Sequence, residues 1–506
     1  MSILVIGEKP SVSCELAKVL GAEKKKNGYM EGSGYIVSWC FGHLVGLKFP
    51  DAYSEDWAAR WSFAQLPMIP KEWKFQISES SKQQFKILKD LMTSSEVTEI
   101  ICATDADREG ECIFRYVYDL VKCKKPVKRL WISSLEESAI KDGFHKLKDG
   151  SAYDTLYQAG FCRAKADWLV GMNGSRLFSV RYNAHLNTGR VQTPTLAMIV
   201  KRDNDIANFV KQKYFTVELD MGFKASSARI DEEHTADMLA SSCSGKTAAV
   251  TDVKKEVKSI SAPKLFDLTS LQREANKKFG YTAQQTLDYM QSLYEKKLVT
   301  YPRTDSQYLS DDMEQTAYAL IPAISEHFGF GTVAEPNLKA VINNRKVTGH
   351  HAIIPTESGV KCDVSALAVG EQNILKLVAL RLLCASASAY RYHAVKVTLE
   401  CENTAFTATG RTVLESGWKA LDGKIGESKK SDEKSLPDLE NGMTFIAKAS
   451  KSEHFTSPPK AFTEDTLLSA MEHAGAEEFD ENAEKRVLAH LPPEPTPSKI
   501  WSGTDT

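Results

Sequence analysis

The sequence predicts a multidomain protein of α/β plus α plus β class. Its expected parts are an N-terminal parallel sheet with helices, a helical stretch, and a β-rich region interrupted by a second helical block. Three observations predict this. First, Ile3-Leu4-Val5-Ile6 and Glu99-Ile100-Ile101-Cys102-Ala103 are short apolar runs, each feeding a helical pattern, at 11–20 and 110–121. Short apolar strands that alternate with helices read as a buried parallel sheet. Second, helical periodicity dominates from about 153 to 209. Third, residues 215–220 and 393–400 alternate with period two and enclose a helical block at about 266–387, so two strand-bearing connections would join that block to the rest. The expected boundaries are 1–148, 149–212, 213–265, 266–387, 388–456 and 457–506. Residues 423–442 are polar, rich in Lys, Ser, Glu and Asp, and read as an exposed linker.

Composition sets limits. A chain of 506 residues holds about three or four domains. Hydrophobic residues at 42% and charged residues at 26% supply enough apolar mass for several cores. A net charge of −2 excludes a globally basic nucleic-acid binder, so any such surface must be a local groove. The ten cysteines include no Cys-x-x-Cys pair, which argues against a zinc ribbon and for reduced thiols. The N-terminus lacks signal-peptide character, and no apolar stretch approaches the roughly 18 residues that span a bilayer. The expectation is a cytoplasmic protein.

Glu8 directly follows the first apolar run, and Asp105, Asp107 and Glu109 follow the other. Side chains at the carboxyl ends of parallel strands converge where ligands bind. Several oxygen ligands without His or Cys favour Mg²⁺ over zinc or copper. An isolated Asp-Ala-Asp-Arg turn is ordinarily a solvated loop, but here both acidic clusters end an apolar run and open a helix. The glycine patterns of dinucleotide and P-loop sites are absent.

Tyr301-Pro302-Arg303 follows a helical pattern with Leu287, Met290, Leu293 and Tyr294 on one face. Pro302 forbids helix and pushes Tyr301 into extended backbone, where Tyr301 and Arg303 project together. A phenol beside a guanidinium suits attack on a phosphodiester.

Gly7-Glu8-Lys9-Pro10-Ser11 and Asp105-Ala106-Asp107-Arg108-Glu109-Gly110 resemble the Toprim domain of topoisomerases, some primases and some nucleases. Tyr301-Pro302-Arg303-Thr304-Asp305-Ser306 is similar to the active-site motif of type IA DNA topoisomerases. Arg163 to Asn173, with Asp167 and Trp168, resembles that family's Arg-x-x-x-Asp-Trp helix. Asn187-Thr188-Gly189-Arg190-Val191-Gln192-Thr193-Pro194 resembles its single-strand contact, and His350-His351-Ala352-Ile353-Ile354-Pro355-Thr356 its histidine segment. Gly42-His43-Leu44 and the Trp61 region also fit. The likeness runs over about 1–486 in family order, nearest the bacterial topoisomerase III branch.

The resemblance implies a Toprim Rossmann-like sheet, helical domains and a β-rich hinge domain in a toroidal core. The implied activity is ATP-independent, Mg²⁺-dependent cleavage of one DNA strand through a 5′-phosphotyrosine, strand passage and religation, relaxing negative supercoils and unlinking DNA. Catalytic roles would fall to Tyr301, Arg303, Glu8, Lys9 and His350, and metal binding to Glu8, Asp105, Asp107 and Glu109. Single-stranded or negatively supercoiled DNA would meet His43, Trp61, Arg163, Asp167, Trp168, Arg176, Asn187, Thr188, Gly189, Arg190, Val191 and Gln192, with the protein acting as a monomer. Arg163 and Asp167 sit four apart, so a plain intrahelical ion pair stands beside the DNA-facing reading. A Toprim nuclease or primase is the second enzyme reading, but it does not need Tyr301-Pro-Arg.

A DNA-binding remnant is the non-enzyme reading, because the C-terminus departs from the family. Where a Gly-Thr-Pro-Ala-Thr-Arg-Ala segment is expected, Ala489-His490-Leu491-Pro492-Pro493-Glu494-Pro495 stands. With suitable codons, dropping one base converts the first run into the second without a mismatch. The expectation is a truncated or shifted reading frame from about Val487 onward.

Overall fold

The computed structural model of the chain describes residues 1–347, 349–425 and 436–474. Compactness divides it into two bodies. One comprises Met1–Met198, Leu287–Gln307 and Asn344–Leu375; the other comprises Ile199–Thr286, Tyr308–Asn343 and the chain from Lys376 onward.

The first body is built on a seven-stranded sheet of order β2-β3-β4-β1-β7-β8-β9. The strands are β1 (Ser2–Gly7), β2 (Lys24–Lys26), β3 (Tyr29–Gly32), β4 (Tyr35–Trp39), β7 (Val97–Ala103), β8 (Val127–Arg129) and β9 (Lys148–Asp149). A small separate pair, β5 (Val45–Leu47) and β6 (Phe75–Ile77), lies between them in sequence. Pairing is parallel for β4-β1, β1-β7 and β7-β8. It is antiparallel for β2-β3, β3-β4 and β8-β9. The expected parallel sheet is therefore a mixed one. The cause is local: two-residue turns at Asn27-Gly28 and Ser33-Gly34, with both glycines at positive φ, permit only antiparallel neighbours.

The two apolar runs behave as expected. Leu4, Ile6, Ile100 and Cys102 join Cys112, Ile113, Phe114 and Val117 in one buried cluster. The last four come from the helix Arg108–Val121, which lays its apolar face on the sheet. Each large apolar side chain so buried contributes about 1.5–3 kcal/mol. The helix is capped by Asp107, whose side chain accepts from Gly110 N at 2.6 Å. The long helix Asp154–Tyr182 and the helix Gln192–Ala207 fill the stretch read as helical.

The second body contains a seven-stranded antiparallel sheet of order β15-β12-β13-β14-β11-β10-β16. Its strands are β10 (Lys213–Asp220), β11 (Lys224–Ser226), β12 (Thr247–Ile260), β13 (Tyr390–Cys401), β14 (Thr404–Glu415), β15 (Thr444–Ile446) and β16 (Lys448–Phe455). Phe215, Val217 and Leu219 alternate into its core, which is the period-two signal seen in sequence. The chain leaves this sheet along β12 and returns along β13, and the two strands pair from Ala249↔Glu400 to Ile260↔Tyr390. Between them in sequence lie the helices Leu268–Phe279, Ala283–Glu295, Glu314–Phe328 and Val369–Ser386.

All ten cysteines are unpaired thiols. Among the described residues no helix is long and apolar enough to cross a membrane. The 489–495 run, the reading-frame expectation it carries, and residues 426–435 of the polar linker lie outside the described residues.

Candidate active site

Neighbouring strands β1 and β7 end in register, with Gly7 opposite Ala103. Their exits therefore bring Glu8 beside Asp105, whose backbone N–H donates to Glu8 Oε2 at 3.4 Å. Two glycines make the approach possible. A Cβ on Gly7 would sit 2.2 Å from Ser13 Oγ, and one on Gly110 would sit 2.1 Å from the Asp105 carbonyl. The start of the helix can thus press against the acidic turn.

Tyr301 reaches this turn from an extended segment after the helix Ala283–Glu295. That segment pairs with the histidine segment: Val299 bridges Pro355, Thr300 N donates to Ile354 O at 3.0 Å, and Thr304 Oγ1 donates to His350 O at 2.9 Å. Two motifs far apart in sequence become neighbouring extended segments. The Tyr301 ring is 1% exposed and its hydroxyl donates to Asp105 Oδ2 at 3.1 Å and Asp107 Oδ2 at 3.0 Å. Arg303 Nη1 stands 3.9 Å from Asp105 Oδ2, with its side chain half exposed.

Electrostatics follow from packing three carboxylates together. Burial, then Asp105 and Asp107, pushes the Glu8 carboxyl up to about 7, against the opposing pull of Lys9 and Arg303. Burial and Asp107 raise Asp105 as well. Burial and the same carboxylates hold the Tyr301 phenol far above its ordinary value, with Arg303 opposing. His350 is buried. Its ring centroid is 4.2 Å from that of Tyr301, and Ser133 Oγ lies 2.7 Å from its Nδ1. Burial, with His351 nearby, pushes its pKa down to about 3, against the Ala106 carbonyl, so it is neutral at physiological pH.

The oxygen-only donor set of Glu8, Asp105 and Asp107 suits a hard cation, and the Asp105 and Asp107 oxygens converge on the point the phenol hydroxyl occupies. No group of three or more His, Cys, Asp or Glu among the described residues is arranged around one metal-sized point. Glu109 does not join the cluster. Its carboxylate turns to His43 Nε2 at 2.7 Å, and this contact lowers Glu109 and raises His43.

The remaining predicted residues separate into open and occupied groups. Arg190 Nε pairs with Asp167 at 2.7 Å, much closer than the 3.9 Å from Arg163 to Asp167, so Asp167 ties the long helix to the Gly189 turn. Asn187, Val191 and Gln192 are exposed, and Arg190 keeps an exposed flank. Thr188 N is taken by Ser175 Oγ at 2.9 Å, and Gly189 N by Thr193 Oγ1 at 3.0 Å, so these two backbone donors are used inside the loop. Trp168 is buried, donates to Lys48 O at 2.8 Å and packs edge-on against Tyr53 and Trp73. Arg176 is buried too, donating to Gln65 Oε1 and Trp57 O while lying 5.1 Å beneath the half-open Trp61 ring. Neither presents an open side chain; Arg176 supports Trp61 from below. Trp61 also faces His185 at 6.3 Å, around a cavity of about 460 Å³ lined by Arg60, Ser179 and Asn183.

Sequence reasoning passed over Arg129, Trp131 and Ser133. Arg129 is buried and donates to Thr104 O at 2.8 Å, Asp105 O at 2.6 Å and Glu111 Oε2 at 2.9 Å. None of the three sits in a sequence pattern that marks it: Arg129 directly follows Lys128 in a Lys-rich stretch, and Trp131 and Ser133 lie in an irregular segment.

Residues 151–476 match the family described as DNA topoisomerase, and residues 3–135 match the Toprim domain. The chain is 41% identical to DNA topoisomerase 3 of Bacillus licheniformis, over 96% of this chain and 69% of that protein. It is 40% identical to DNA topoisomerase 3 of Bacillus subtilis, with the same coverage of each. Among solved structures, full-length topoisomerase I from Thermotoga maritima superposes with a TM-score of 0.69 at 22% identity, over 96% of this chain and 78% of that one, a likeness of fold.

Proposed function

This chain belongs to the type IA DNA topoisomerases, and on that premise we propose that Tyr301 is the nucleophile that cuts one DNA strand and stays joined to its 5′ phosphate. The observation that carries the reading is the Tyr301 hydroxyl, held by Asp105 and Asp107 within a buried acidic site that also contains Glu8. A phenol with so high a pKa is a poor nucleophile until its proton is taken and charge arrives to offset the carboxylates.

Asp105 and Asp107 already accept the phenol hydrogen and are the groups to receive its proton. Arg303 and Lys9 bring positive charge to the phosphate as negative charge develops there. Glu8, with its carboxyl near 7, keeps a substantial protonated fraction at neutral pH and can protonate the leaving 3′ oxygen. His350, neutral and against the Tyr301 ring, serves as a phosphate-side or proton-relay group. Asp105 and Asp107 would hold Mg²⁺, joined by Glu8 when its carboxyl is ionised, with Glu109 left to His43. When bound, the ion offsets the carboxylate repulsion and helps hold the phosphate backbone. The phosphotyrosine bond conserves the energy of the broken phosphodiester, so resealing needs no nucleotide.

The substrate is single-stranded or negatively supercoiled DNA. The exposed Arg190, Asn187, Val191, Gln192 and Trp61 side chains support a contact that combines backbone charge with a stacking surface. We read residues 266–387 as the arm that carries the tyrosine, entered and left through the paired strands β12 and β13. The kinship with Bacillus topoisomerases supports work on the chromosome in a bacterial cytoplasm.

The decisive experiment uses a labelled single-stranded oligonucleotide. Tyr301→Phe keeps the ring and removes the reacting oxygen, so covalent protein–DNA adduct should vanish while binding stays within about twofold. Adduct trapped with the Phe variant would remove Tyr301 from the mechanism.

A further inference from the structure

After β8 the chain runs through Trp131 and Ser133 without regular structure, yet it contacts both the histidine segment and the tyrosine segment of the site. Trp131 Nε1 donates to Gly349 O at 3.1 Å, and its ring stacks on His350 at 6.1 Å and 17°. Ser133 makes two contacts. Its carbonyl accepts from Tyr301 N at 2.9 Å, and its hydroxyl lies 2.7 Å from His350 Nδ1. Two residues earlier than Trp131, Arg129 pins the backbone carbonyls of Thr104 and Asp105. Alternate residues 129, 131 and 133 thus reach the acidic turn, the histidine segment and the tyrosine in succession.

The other ring nitrogen of His350 is the telling atom. His350 is 3% exposed, and its Nε2 is buried, with the Ala106 carbonyl nearby but no hydrogen bond of good geometry. A buried polar atom left without a good partner is costly, a cost that a bound ligand group can remove. The Ser133 hydroxyl decides what that atom offers. If Nδ1–H donates to Ser133 Oγ, Nε2 keeps a bare lone pair; if the hydroxyl donates to Nδ1, Nε2 carries the hydrogen. Either way, the contact at Nδ1 fixes one ring orientation.

We propose that Ser133 is a positioning residue for strand cleavage, its hydroxyl setting the ring orientation of His350 and its carbonyl setting the backbone of Tyr301. The inference rests on the assignment of Tyr301 and His350 to the reaction. It predicts that Ser133 acts through His350 and leaves DNA affinity alone.

The test compares Ser133→Ala, Ser133→Thr, His350→Ala and the Ser133→Ala/His350→Ala double variant in the full chain. Each is measured for Kd toward a single-stranded oligonucleotide and for the rate of covalent adduct formation at saturating DNA. Ser133→Ala should bind within about twofold of the parent and cleave about 10-fold more slowly, the loss of one orienting hydrogen bond. Ser133→Thr, which restores the hydroxyl, should return the rate to within about threefold. In the His350→Ala background the alanine at 133 should slow cleavage no further. The proposal is overturned by a Ser133→Ala rate within twofold of the parent, by equal losses in affinity and rate, by an additive double variant, or by failure of threonine to rescue. Where His350→Ala is too slow to measure, threonine rescue decides. Adduct formation by Tyr301→Phe would instead sink the assignment of the nucleophile, so the two failures are distinguishable.

Discussion

Replacing Glu8 with Gln should stabilise the metal-free protein, and only at the alkaline end of its range. In the folded chain the Glu8 carboxyl is held near 7 rather than at 4.5. The folded state therefore keeps a proton that the unfolded chain has already released between those values. Stability from this group is complete below about pH 4.5 and falls as pH rises, until above 7 the ionised carboxylate bears the whole cost. At about 1.4 kcal/mol per pH unit, that cost reaches about 3 kcal/mol. Gln has nothing to ionise, so the advantage of Glu8→Gln should grow from near zero at pH 4.5 to about 3 kcal/mol at pH 8. For a body of this size that corresponds to about 6–12 °C in its thermal transition. Calorimetry in chelator at both pH values checks it. Millimolar Mg²⁺ at pH 8 should then narrow the gap by stabilising the parent more than the variant. A shift of equal size at both pH values would refute the claim that like charge strains this site.

Three further outcomes follow from the same geometry. Asp105→Ala with Asp107→Ala should abolish relaxation of supercoiled DNA and flatten its Mg²⁺ titration, and an unchanged titration would put the metal elsewhere. Single-stranded DNA should bind more tightly than a blunt duplex of equal length; Arg190→Ala should weaken it regardless of sequence and lower the salt slope by about 1, measured by fluorescence anisotropy. Gly110→Ala forces a Cβ to within 2.1 Å of the Asp105 carbonyl, so it should cost about 1–3 kcal/mol and impair cleavage, seen in parallel melting and adduct assays.

The chemistry was more legible in the sequence than the surfaces. Glu8, Asp105 and Asp107 could be read because each ends an apolar strand, and adjacent parallel strands must deliver their exits to the same place. Pro302 made the Tyr301 segment extended, and an extended segment then pairs with another, here the one holding His350. The antiparallel sheet edge was also written locally, at Asn27-Gly28 and Ser33-Gly34, in turns that a search for apolar runs passes over. Faces of the long helix Asp154–Tyr182 were harder to read. Its hydrophobic pattern is weakly one-sided, so Trp168 and Arg176 gave no hint that they turn inward to Lys48, Trp57 and Gln65. Ser133 and Trp131 owe their position to partners more than 200 residues away, which no local pattern encodes.

The pairing of β12 with β13 also bears on how the chain folds. Topologically these strands form a hairpin whose connection is about 130 residues long. Closing an unstructured loop of that length, instead of a tight turn of about four residues, costs about 3 kcal/mol at about 0.6 kcal/mol per doubling. Such a ribbon would register slowly if it had to wait for random encounter. Helices that condense inside the connection shorten the search, because a structured insert delivers Ile260 and Tyr390 already close together. The order of events is then insert first and sheet second, with the ribbon zipping from Ile260↔Tyr390 toward Ala249↔Glu400. Slowing the insert, by proline in the helix Leu268–Phe279 for example, should delay hydrogen-exchange protection of amides along β12 and β13.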